Sequence, residues 1–168
     1  MLMKKAQVIL LSILAACGYG IIHDQITVRL CIEYLTIAHP ALFPTTSPTL
    51  LAFCWGIAAT APIGVAFGVI LALVSQPKGQ LPIPVSQLAR QILVLLGAMG
   101  LSALTAGSLG QQLAQRGFIA IPADFATVVP VQQHDNFLAV WFAHAASYFV
   151  GLVVRAVVFR TQRTPPLL

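Results

Sequence analysis

Four stretches of the chain, residues 6–22, 50–75, 92–109 and 137–154, contain no Asp, Glu, Lys or Arg and are dominated by apolar side chains. A helix rising 1.5 Å per residue needs about 20 residues to cross a hydrocarbon layer about 30 Å thick. The first, third and fourth runs lie near the short limit. The second is long enough to tilt, or to kink at Pro62. The ten-residue alternation of a membrane β-barrel is absent from all four. The pattern therefore predicts an all-α, polytopic integral membrane protein, with residues 1–168 forming a single domain of four transmembrane helices.

Composition closes off the other classes. Hydrophobic residues make up 58% of the 168 and charged residues 8%, against about 25% charged in soluble domains. So few charges cannot cover a water-facing surface, and a disordered chain would be more polar still. The net charge of +5 does not point to nucleic acid, because the basic residues are spread over the ends of the apolar runs. With the N-terminus placed in the cytoplasm, Lys4, Lys5, Lys78, Arg90, Arg155, Arg160 and Arg163 all fall inside, and Arg29 and Arg116 outside. That positive-inside bias predicts an inner-membrane protein with both termini cytoplasmic. Trp55 and Trp141 then lie near the outer ends of their helices, at headgroup level.

Three cysteines, Cys17, Cys31 and Cys54, show neither metal-type spacing nor a disulfide framework. Leu14-Ala15-Ala16-Cys17, after two lysines and an apolar run, resembles a bacterial lipoprotein cleavage box. Apolar residues rather than a polar tether follow Cys17, and a chain with three further spans needs no lipid anchor. The first run is therefore read as a retained helix. Gly64 and Gly68 make a small-xxx-small step in the second span, and Gly97, Gly100, Ala103 and Gly107 line the third, so both can form close helix–helix seams or meet another subunit.

The polar chemistry collects on one predicted side. All four acids (Asp24, Glu33, Asp124 and Asp135) and three of the four histidines (His23, His39 and His134) fall outside, while His144 lies within the fourth span. His23-Asp24 ends the first span and His134-Asp135 begins the fourth. Imidazoles and carboxylates are ligands for zinc, iron or manganese. The expected site is a transition-metal or acid–base centre at the outer face, drawn from His23, Asp24, Glu33, His134, Asp135 and His144. His39 could fold back toward it, and Arg29 and Arg116 could attract an anion. Ten residues span about 15 Å of helix, so a straight helix cannot place His134 and His144 on one ion. The workable arrangement sets His23-Asp24 against His134-Asp135 from different helices. His144 would otherwise serve as a lower ligand, as an axial ligand to a haem or chlorophyll-type ring, or as a hydrogen-bonded packing residue.

Two outer loops complete the reading. In loop 24–49, apolar residues alternate with Thr27, Arg29, Cys31 and Glu33 from Ile26 to Tyr34. This favours a strand over 26–34, with a continuation of the first helix as the competitor. Arg29 and Glu33 can pair in either case. Loop 110–133 is unusually apolar: residues 111–116 extend the third helix, Gly117 stops it, and the remainder covers the polar cluster or meets a partner. The alternative function is a non-catalytic subunit or assembly partner in a larger membrane complex, or a homodimer. A lone transporter fits poorly, because repeated broken helices are absent.

Overall fold

The computed structural model describes residues 5–74 and 84–161. The middle of the inner connector (75–83), Lys4 and the tail 162–168, including Arg163, lie outside the described residues. Six helices follow in order: α1 (Lys5–Leu30), α2 (Ile32–Thr36), α3 (Pro48–Val74), α4 (Val85–Gln115), α5 (Ala123–Ala126) and α6 (His134–Thr161), the last entered through a 3-10 turn at Val131–Gln133. The protein is all-α, and four helices are long and apolar enough to cross a membrane: Lys5–Leu30, Pro48–Leu73, Val85–Gln115 and Val131–Val153. Leu14, Leu101 and Phe149 are each more than 60% exposed. Such side chains need lipid as their solvent.

The helices outrun the apolar stretches that predict them. α1 passes through His23-Asp24 to Leu30, and α4 begins seven residues before the third stretch. Strand pairing over 26–34 is thereby overturned. A strand would place Ile26, Val28 and Leu30 on one face. Instead Val28 is buried, while Ile26 and Leu30 are about half exposed. That is the 3.6-residue period of a helix, and the Cys31 amide still bonds the Thr27 carbonyl at 3.0 Å. The break falls at Cys31, whose backbone is extended (φ −155°, ψ 98°).

The chain divides into two compact units, Met1–Leu93 and Val94–Leu168. In the first, α1 and α3 pack along a seam of small residues. A Cβ built on Gly64 would lie 2.8 Å from Ile13 Cα, and one on Gly68 2.7 Å from Ile9 Cα. Lipid offers no hydrophobic drive for helix association, so this close backbone approach supplies the packing energy. Ser12 sits in the seam and returns its hydroxyl to the Val8 carbonyl at 2.9 Å. Toward the other end, Val28, Leu35, Leu51, Ala52 and Trp55 form a buried cluster. Trp55 is only 8% exposed, and Phe43 (5.2 Å) and His39 (4.7 Å) pack on its ring. Its indole therefore belongs to the core of this unit rather than to the headgroups.

In the second unit α4 and α6 approach through Gly107, where a Cβ would lie 3.1 Å from the Ala139 carbonyl oxygen, and through Gly110, which receives the Phe142 ring. Gly97 faces open space, so only part of the glycine line acts as a seam. Gly117 does stop α4: its φ is +73°. The Phe118 amide bonds the Leu113 carbonyl while the Gly117 amide bonds Ala114, the glycine-dependent helix ending in which a left-handed residue satisfies the last carbonyls. The apolar loop beyond it divides. Ile121 and Val129 are buried, and Phe125 packs on Phe137 and Trp141. Phe118, Val128 and Val131 are mostly exposed.

Candidate metal centre

His23 and Asp24 lie on the last two turns of α1. The His23 ring stacks on Tyr19, one turn earlier, with centroids 5.7 Å apart and planes inclined by 23°. This contact restricts the imidazole to a narrow range of orientations. Asp24 is buried, with 6% of its surface exposed, and Thr27 on the next turn is buried more completely. A carboxylate in an apolar span is costly unless a cation or a hydrogen-bond donor faces it.

His144 lies ten residues into α6 and is also buried. Its Nδ1 is 2.9 Å from the Val140 carbonyl oxygen. A carbonyl only accepts, so Nδ1 is the donor in this hydrogen bond.

His23 and Asp24 belong to the first unit and His144 to the second, and each is a residue type that can ligate a metal ion.

The other expected site residues are placed differently. α6 begins at His134, which puts His134 about 15 Å and Asp135 about 13 Å along the axis from His144. These two therefore do not share an ion with His144. His134 donates from Nε2 to the Val129 carbonyl at 3.0 Å, tying the 3-10 turn to the preceding loop. Glu33 sits on α2, beyond the break, and accepts a hydrogen bond from the Cys31 thiol. His39 donates from Nδ1 to the Tyr34 carbonyl at 2.9 Å and packs on Trp55. Arg29 donates to Gln25 and Thr49, joining the end of α1 to the start of α3, and does not pair with Glu33. Arg116 is exposed at the end of α4.

Cys31 is chemically quiet. Burial, with a smaller contribution from the hydrogen bond to the Glu33 carboxylate, pushes its thiol up to about 12. At pH 8 the thiolate population is then about a thousandfold below that of a thiol at 9.0. Iodoacetamide at pH 8 is expected to leave Cys31 unmodified in the native protein and to alkylate it once the chain is denatured. Ready alkylation of the native form would contradict this environment. The neutral thiol is favoured in the fold, so its contribution to stability is complete below pH 9 and is lost as the pH rises toward 12.

No family model, no curated protein and no solved structure matches the chain, so its chemistry is argued from these residues alone.

Proposed function

We propose that this is a membrane-embedded metalloprotein in which His23 and Asp24, adjacent on α1, supply an imidazole and a carboxylate to one transition-metal ion close to the outer face of a bacterial-type inner membrane. The observation that carries the reading is a buried carboxylate beside an imidazole in a helix that otherwise reads as apolar. Imidazole and carboxylate are donors for zinc, iron and manganese. When bound, such an ion supplies Lewis acidity or an activated water. The chain's own part is to hold these two donors on consecutive positions of α1. The location rests on the basic residues: Lys5 and Arg90 on one side, Arg29 and Arg116 on the other.

Elemental analysis tests the proposal. Protein purified in detergent without chelator is expected to carry about one transition-metal ion per chain. Asp24→Asn, which keeps the shape of the side chain but removes its charge, is expected to carry almost none. Wild-type protein that stays free of metal after incubation with zinc, iron(II) and manganese(II) would overturn the reading.

A further inference from the structure

Arg29 sits in the last turn of α1, and its guanidinium is held from two helices of the first unit. Nη1 donates to the backbone and side-chain oxygens of Gln25, and Nη2 donates to Thr49 Oγ1 at 3.1 Å. Gln25 in turn donates from Nε2 to the Thr49 carbonyl at 3.1 Å, which closes a ring of contacts between α1 and α3. Every one of these acceptors is a neutral oxygen, and among the described residues no carboxylate pairs with the cation. A guanidinium has five N–H donors, so Nε–H and one Nη2–H remain for a further acceptor. The residue is exposed. A fixed, exposed cation with donors open on two neighbouring nitrogens suits two oxygens of one phosphate.

The surroundings select the kind of phosphate. Arg29 and Thr49 lie one residue inside the ends of the membrane-capable helices Lys5–Leu30 and Pro48–Leu73, where hydrocarbon gives way to headgroups. Ile26, Leu30 and Leu50 beside them are each about half exposed. Ile26 precedes Arg29 by three residues and Leu30 by four, so the guanidinium and the apolar surface share one flank of α1. We infer that Arg29 binds the phosphate of an anionic phospholipid whose acyl chains lie against Ile26, Leu30 and Leu50. A free phosphate ion can use the same donors but gains nothing from three apolar side chains. An anionic headgroup is favoured over a zwitterionic one, because it carries no ammonium of its own to compete for the phosphate. This lipid site is independent of the metal proposed at His23 and Asp24.

Native mass spectrometry of the full-length protein in detergent, titrated with dioleoyl phosphatidylglycerol, reads the first bound lipid. Arg29→Gln is expected to bind it about tenfold more weakly. Arg29→Lys is expected to lose about threefold, since the charge stays while the fork and the tie to Thr49 go. Arg116 is also exposed, but its guanidinium makes no hydrogen bond to the described residues, so Arg116→Gln should stay within about twofold of wild type. Dioleoylglycerol, which has the acyl chains without the phosphate, should bind wild type and variants equally weakly. Equal phosphatidylglycerol affinity in wild type and Arg29→Gln, or equal losses in Arg29→Gln and Arg116→Gln, overturns the inference. Should Arg29→Gln lose its helical circular dichroism, Arg29→Lys decides alone, and an affinity unchanged there overturns it. Inorganic phosphate at the same concentration should leave the lipid in place, and displacement would assign the donors to free phosphate and overturn the lipid site.

Discussion

Replacing Asp24 with alanine is expected to lower cobalt(II) affinity by at least about a hundredfold, since loss of an outer-sphere partner alone costs about 10–100-fold. The change removes one of the two proposed donors on α1. The stabilisation conferred by metal should vanish in parallel. At a free concentration a hundred times the dissociation constant, bound metal adds about 2.7 kcal/mol to the folded state, and the variant forfeits nearly all of it at the same concentration. His134→Ala and His39→Ala are the informative controls. Their rings are held by the Val129 and Tyr34 carbonyls, so both should bind cobalt(II) within about twofold of wild type. A visible titration of the three variants checks the prediction. Equal losses in His134→Ala and Asp24→Ala would mean that the ion sits elsewhere.

That contrast also shows how far the chain could be read without coordinates. The four spans were legible because a run of seventeen or more residues without charge has few other uses. Their ends were not. Once α1 leaves the apolar run at Ile22, its backbone ladder simply continues, and hydrogen bonds of that kind leave no trace in hydropathy. The alternation over 26–34 then suggested a strand, although the exposure of Ile26 and Leu30 beside buried Val28 follows a helical period. His23, Asp24 and His144 stood out as ionisable groups at the edge of, or within, apolar helices. The repeated His-Asp pair at 134–135 drew attention to itself by resemblance to 23–24. The continuous rise of α6 keeps His134 about 15 Å along the axis from His144, as the spacing of ten residues already required.

Gly56→Ala is expected to destabilise the protein by about 1–3 kcal/mol, and Gly56→Leu by more, because the overpacking has no flexible atom to displace. A Cβ at position 56 would lie 2.6 Å from the Ile21 nitrogen, 2.7 Å from Ile21 Cα and 2.8 Å from the Gly20 carbonyl carbon, all of them backbone. No side chain can rotate aside, so α1 and α3 must separate. Separation breaks the close contacts that hold a helix pair together in lipid. Gly18→Ala on α1 and Gly97→Ala on α4 should be neutral or slightly stabilising, since their added methyl groups meet nothing within 4 Å and alanine favours the helix. Unfolding of the three variants in mixed detergent, followed by circular dichroism, gives the comparison, and a Gly56→Ala midpoint equal to that of Gly18→Ala would refute the seam. The consequence reaches the metal centre. Gly20 precedes His23 by three residues and Asp24 by four, and it contacts Gly56 and Thr60 directly. The azimuth at which α1 presents both donors is therefore set one turn away, by the absence of two methyl groups. Gly56→Ala should weaken cobalt(II) binding as well as the fold, although it alters no ligand.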